Sequence, residues 1–531
     1  MRVKAILAVL CIFALLLASC EDDAFSPPVY GGPGGGRDGG RFYAQNMTND
    51  NFYTLYAEKL WGEEDDENTL IEVWAENGSG MTKADGKKVA MAYEDGTGSV
   101  YTKLMGVFGT QKDFTDVFTN NPAIVANDTM EFADFYGNGD KKLCVLLLKI
   151  KDGYNPPKNR SYVAGYFTPY NFLAYEPGYY DSYYSNECDM IYLDVKVNGP
   201  DTQELKTTLA HEMQHMMNFV TTLDMRPSGN TFKQMDLWID EGLSSAAEYV
   251  YSGSPNNERI DWFNDDPTGR IALGNNFYVW GNYTKAIPNA ILDDYATVYL
   301  FFQWLRIQAG GGNAIYTDII TSTASDFNAV LDAAKTRISK PTYNYSDPLI
   351  GGWRYLLRNW MAANYINAAS GHYGYNGYIT KLVNTRFYGN PSGNYKIDLF
   401  PGEGIYLLAS AWPKPADPIK YADLTSGIPQ DSGSSPPAHL LCYNTSTAVK
   451  GQSSEVTVAL DTSSVSMVGT RQILQNNAVA SGSRSLMEPV KPIDIEPYAI
   501  SAGDMLRING QKDDVSDLVI SKLRSGKRIH D

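Results

Sequence analysis

Residues 207–219 read TTLAHEMQHMMNF. The stretch holds two of the chain's five histidines, His211 and His215, four positions apart, with Glu212 directly after the first. On an α-helix, positions i and i+4 share a face one turn apart. Two imidazoles so placed can grip one metal ion, and Glu212 can reach the water that such an ion activates. Short patterns also match by chance, so the surrounding sequence has to decide. It predicts a helix: Leu205, Leu209, Met213 and Met216 form an apolar stripe. Asp201 and Glu204 have capping-box spacing, with Asp201 as the cap.

A catalytic zinc site takes three protein ligands and keeps one position open. One class completes the set with His-Glu-x-x-His-x-x-Gly-x-x-His. Here Asn218 stands at the glycine position and Thr221 at the last histidine position, which excludes that class, and the next histidine is His372. The other solution is a glutamate from a following helix. Trp238-Ile239-Asp240-Glu241-Gly242-Leu243 supplies Glu241, 26 positions beyond His215. That separation lets the first helix end, the loop TLDMRPSGNTFKQ return, and a second helix, DLWIDEGLSSAAEYVYSG, pack alongside with Gly253 as its cap.

The segment WIDEGLSSAAEYV resembles the third-ligand helix of the gluzincins, zinc peptidases that include aminopeptidase N. The match implies Glu241 as a metal ligand. It also implies an acid further along the helix, and Glu248, two turns on, would suit the orienting of a ligand imidazole; a plain solvent-facing acid is the other reading. The pair TLAHEMQHMMNF and WIDEGLSSAAE is similar to the signature of the hyicolysin family of secreted bacterial metallopeptidases. The similarity continues through DGYNPPKNRSYVAGYFTPYN, SNECDMIYLDV, RIDWFNDDPTGRIAL and NWMAANYINAASGHYGYNG, most of residues 50 to 385. It implies an α+β, thermolysin-like zincin domain with a mixed N-terminal sheet and a helical C-terminal subdomain. It further implies one Zn²⁺ on His211, His215 and Glu241, with Glu212 as general base in peptide-bond hydrolysis.

Tetrahedral oxyanions need a second electrophile. In aminopeptidase N a tyrosine at the head of an apolar helix serves, and Tyr295, heading YATVYLFFQWL, stands in a like place, with Tyr299 and His372 as alternatives. A packed aromatic is the competing reading of Tyr295. The aminopeptidase element Gly-x-Met-Glu-Asn, which holds a substrate's free amine, does not occur, so an endopeptidase is expected. The strand CDMIYLDV could be the edge that pairs with an extended peptide, or an interior strand. A non-catalytic surface adhesin on the same fold is the competing functional class, and Glu212 argues against it, because a structural site has no use for a base.

The rest of the chain sets the context. Arg2 and Lys4 precede an apolar run from Ala5 to Ala18 that is too short for a confident membrane span. The run ends in Leu17-Ala18-Ser19-Cys20, which resembles a bacterial lipobox. Residues 1–19 therefore read as a lipoprotein signal, and Cys20 as the lipidated residue of a protein of the cell envelope, at the outer membrane or cell surface. Residues 20–41 are a Gly/Pro-rich tether. Residues 42–200 are the mixed part of the catalytic domain, with strands in TLIEVWAEN, KLCVLLLKI and CDMIYLDVKV. Residues 201–398 are the helical zinc-site part, and 399–531 a β-rich C-terminal domain. Cys144, Cys188 and Cys442 remain after the signal and are read as small buried residues. Asp134, Asn138 and Asp140 faintly resemble a calcium loop but lack its distant bidentate glutamate, so a turn is favoured over Ca²⁺. A formal charge of −17 argues against nucleic acid as a partner; the expected partners are a protein or peptide substrate and the membrane.

Overall fold

The computed structural model describes residues 38–460 apart from 63–68, 110–141, 157–160, 173–183, 282–288, 339–351, 381–386 and shorter stretches, together with 473–475 and 498–500. Cys20, the signal segment and the loop carrying Asp134, Asn138 and Asp140 lie outside the described residues. The fold is mixed α and β.

The first sheet comprises β1 (Arg41–Gln45), β2 (Phe52–Trp61), β3 (Ile71–Glu76), β4 (Leu143–Leu148), β6 (Gly165–Phe167) and β7 (Met190–Asp194), with the short β5 (Ser161–Val163) just before β6. Their spatial order is β1-β2-β3-β4-β7-β6. In β2, buried Leu55 and Ala57 alternate with exposed Tyr56 and Glu58, the mark of a strand with one wet face. LCVLLL and MIYLD are buried at every position, as befits the central parallel pair β4–β7. CDMIYLDV is therefore interior. The edge is β6, antiparallel to β7.

Two short helices, α1 (Lys83–Glu94) and α2 (Val100–Met105), accompany this sheet. The long α3 (Gln203–Met225) follows β7 and carries both histidines. Its cap is Thr202, not Asp201: the Thr202 hydroxyl accepts from the Leu205 N–H at 3.2 Å, whereas the Asp201 carboxylate is taken by Lys206 at 2.9 Å. After a two-strand hairpin, β8 (Pro227–Ser228) and β9 (Thr231–Phe232), α4 (Leu237–Ser252) returns against α3 and stops at Gly253, whose φ of 69° is left-handed. Then come α5 (Asn257–Asp265), α6 (Ile271–Gly274), α7 (Ile291–Gln308), α8 (Ala314–Ile320), α9 (Phe327–Arg337) and α10 (Trp353–Ile366). All residues of α7 are buried, so it is the central pillar rather than an amphipathic surface helix. A Cβ on Gly242 of α4 would lie 2.2 Å from the Phe302 ring of α7, so only glycine permits this approach.

Beyond α10 the chain turns to strands: β10 (Phe387–Gly389), β11 (Gly393–Leu399), β12 (Gly404–Leu407), β13 (Ile419–Asp423), β14 (Leu440–Asn444), β15 (Ser454–Leu460), β16 (Ile473–Gln475) and β17 (Tyr498–Ile500). A five-stranded sheet, β13-β14-β12-β10-β16, lies against α10. The Tyr406 hydroxyl donates to the Met361 carbonyl at 2.7 Å, and Arg354 and Arg358 grip Asp431 at 2.6 and 2.8 Å. Cys144, Cys188 and Cys442 are buried free thiols. Among the described residues, no helix is long and apolar enough to cross a membrane.

Candidate metal centre

The α3–α4 pair places His211, His215 and Glu241 together in the core. Their ligand atoms all lie within 4.8 Å of one another. Glu241 Oε2 is 3.4 Å from His211 Nε2 and 3.6 Å from His215 Nε2. Ligand bonds of zinc length, about 2.0–2.2 Å, imply tetrahedral edges of about 3.3–3.6 Å. Both edges from Glu241 match that spacing, and the donor set of two imidazoles and one carboxylate fits an open catalytic site.

The remaining ring nitrogens are also held. His211 Nδ1 lies 2.9 Å from Glu248 Oε1, and His215 Nδ1 lies 2.9 Å from Asp240 Oδ2. An ionised carboxylate can only accept, so each Nδ1 carries a proton, and once the rings are neutral each Nε2 has its lone pair available to a metal ion. Glu248 is in turn held by Asn256 Nδ2 at 2.8 Å, and the Asn256 N–H donates to the Tyr299 hydroxyl at 2.8 Å. Asn218 Nδ2 donates to Asp240 Oδ1 at 2.6 Å.

Without a metal, burial lowers the pKa of both imidazoles, but the carboxylates around them outweigh it. Glu241 and Glu248 push His211 up to about 10, and Asp240 and Glu241 push His215 up to about 9. Burial likewise pushes the Glu212 carboxyl up, with the two imidazoles and the Phe167 backbone amide pulling it back. Gly165 makes this proximity possible, because a Cβ there would stand 2.8 Å from Thr208 Cγ2 and 3.1 Å from Glu212 Cγ. The edge strand β6 therefore passes directly over Glu212.

The three residues considered for the oxyanion separate clearly. Tyr295 is buried with its ring 6.5 Å from that of His211, under the Arg259 guanidinium at 4.3 Å. The Tyr299 hydroxyl is engaged by Asn256, behind Glu248. His372 binds Gln308 at the far end of α7 with its Nδ1 3.0 Å away, and burial lowers its pKa to about 4. Gln308 lies 13 residues from Tyr295, about 20 Å along the helix. Asp240, Asn218 and Asn256 escaped the sequence reading. Asp240 adjoins a ligand, which is a usable signal; the two asparagines carry none.

This arrangement is a candidate metal centre of the His-Glu-x-x-His plus Glu kind, with each imidazole backed by a carboxylate. No protein-family model matches the chain. Over 246 residues it is 28% identical to the neutral metalloprotease ShpI of Staphylococcus hyicus. The alignment covers 45% of this chain and 49% of that protein, so the chain spans about half the length of the relative it matches. The likeness supports a metallopeptidase family.

Proposed function

We propose that the protein is a zinc-dependent endopeptidase of the bacterial cell envelope, tethered through a lipid on Cys20 and acting on proteins or peptides. One observation carries the reading: a carboxylate oxygen stands at tetrahedral-edge spacing from two imidazole Nε2 atoms, with Glu212 next in sequence to one of those imidazoles. Zinc, when bound, supplies a Lewis acid that acidifies water and polarises a carbonyl. His211, His215 and Glu241 hold it, and Glu248 and Asp240 keep the two rings aligned. Glu212 accepts a proton from the attacking water and hands it to the departing amine. Its burial, which favours the protonated form, suits a group that must take up a proton and release it. The Tyr295 hydroxyl donates to the developing oxyanion. The outer edge of β6 pairs with the extended peptide.

The test is metal content together with the activity of Glu212→Gln. The parent should carry one zinc per chain and cleave casein. The variant should keep zinc and fold and lose at least about a hundredfold in rate. A variant that cleaves at the parental rate contradicts the mechanism. A zinc-loaded parent that cleaves nothing across a broad peptide library favours the adhesin reading. For the anchor, Cys20→Ala should move the protein from the detergent phase to the aqueous phase, and equal partitioning would contradict lipidation.

A further inference from the structure

We infer that the cavity between β6 and the C-terminal half of α3 is a subsite for the substrate residue on the acyl side of the scissile bond. We infer further that it selects a large neutral side chain with a hydrogen-bonding tip, tyrosine or glutamine over phenylalanine or leucine. This rests on the peptidase reading above and adds to it a direction and a substrate class.

The direction follows from two contacts along β6. Its first residue, Gly165, lies against Thr208 and Glu212, and its last, Phe167, has its ring 6.0 Å from that of Phe219. The strand therefore runs in the same sense as α3. Antiparallel pairing is the commoner and slightly more stable arrangement of strands. A peptide paired that way runs against α3, with its amino-terminal residues at the Phe167–Phe219 end. The cavity extends toward that end, reaching Thr222 and Gln234, while Glu212, His215 and Glu241 border it on the catalytic side. A side chain held there belongs to the acyl part of the substrate.

The chemistry of the walls defines the class. The cavity is about 160 Å³; an apolar cavity of about 150 Å³ holds one benzene molecule, so the space suits one ring-sized side chain. Phe167, Phe219, Met235 and Leu237 supply apolar wall. Away from the candidate metal ligands, two polar atoms of the lining are buried with no hydrogen-bond partner among the described residues: Asn218 Oδ1 and Gln234 Nε2. The Asn218 amide cannot be reversed, since its Nδ2 donates to Asp240. One atom is an acceptor and the other a donor, and leaving both unmet is costly. A phenol hydroxyl or a carboxamide meets both. Among the described residues, no lysine or arginine lines the cavity and three carboxylates do, which disfavours acidic side chains. Asp240 is already committed to His215 and Asn218, so it is not a ready counter-ion for lysine or arginine.

The experiment uses the full zinc-loaded chain, peptides varied at single positions on either side of the bond, and a Gln234→Met variant that keeps side-chain length and removes the donor. At an acyl-side position the parent should prefer tyrosine to phenylalanine, and glutamine to leucine, by about three- to tenfold in kcat/KM, the worth of one neutral hydrogen bond. In Gln234→Met both ratios should fall to about one. Calorimetry with acetylated peptides ending in tyrosine or phenylalanine, the acyl products, should show the same ratio without turnover. Hydrolysis with no acyl-side preference, or with preference confined to the amine side, overturns the subsite and leaves the peptidase reading intact. A parent that hydrolyses nothing overturns the peptidase reading and the acyl-side assignment with it, even if the tyrosine product still binds more tightly.

Discussion

Asp240 Oδ2 lies 2.9 Å from Nδ1 of His215, and Asp240 is the residue immediately before the candidate ligand Glu241. One helical turn thus provides both a ligand and the group that orients a different ligand. Asp240→Ala should weaken zinc binding by about 10–100-fold, measured by competition with a chromogenic chelator. An unchanged affinity would mean that the His215 ring is held without Asp240. Glu241→Ala should be harsher, leaving the purified protein largely free of zinc by elemental analysis.

The place of Tyr295 beside His211 leads to a separate expectation. Tyr295→Phe removes one hydroxyl from a buried, well-packed ring. If that hydroxyl stabilises the oxyanion, kcat should fall by about 10²–10³-fold with KM little changed. Tyr299→Phe should instead act through Asn256 and Glu248 and register in zinc affinity. A Tyr295→Phe enzyme of parental kcat would leave Tyr295 as a packing residue.

Gly242→Ala tests the packing that brings α4 to α7. The added methyl would meet the buried Phe302 ring at 2.2 Å, and that ring has Trp238 and Tyr316 as neighbours. Overpacking of this kind costs about 1–3 kcal/mol. The melting temperature should drop, and zinc content should fall with it because Glu241 adjoins the displaced residue. A melting temperature equal to the parent's would show that the ring gives way freely.

Stability should depend on pH differently with and without metal. In the metal-free protein His211 and His215 have pKa values raised to about 10 and 9, above the ordinary value of 6.5. The folded state then binds more protons than the unfolded chain. That contribution is complete below about pH 6.5 and is lost as pH rises through 9 and 10. Zinc needs the imidazoles neutral, so proton competition weakens its binding at low pH. Both effects widen the gap in melting temperature between zinc-loaded and chelator-stripped protein from pH 6.5 to 9. A gap that is constant or narrows over that range would count against this ligand set.

The sequence alone located the two imidazoles, Glu212 and Glu241, because helical periodicity and capping are local and survive without knowledge of the neighbours. The cap illustrates the limit of that logic: Asp201 and Thr202 both offer an oxygen, and the choice fell to Thr202 because Lys206 occupied the carboxylate. The orienting contacts were less legible. Glu248 meets His211 across 37 positions and Asp240 meets His215 across 25, so each depends on how α3 and α4 cross. The edge strand was beyond reach for a related reason. CDMIYLDV reads as a strand, and only the assembled sheet shows that it is interior and that β6 covers one side of it and is itself the rim. The cavity belongs wholly to the tertiary structure, since its walls come from β6, α3 and the approach to α4. A spacing along one helix is written in the order of residues; a contact between elements is set by packing angle and by the glycines, Gly165 and Gly242, that let backbones come close.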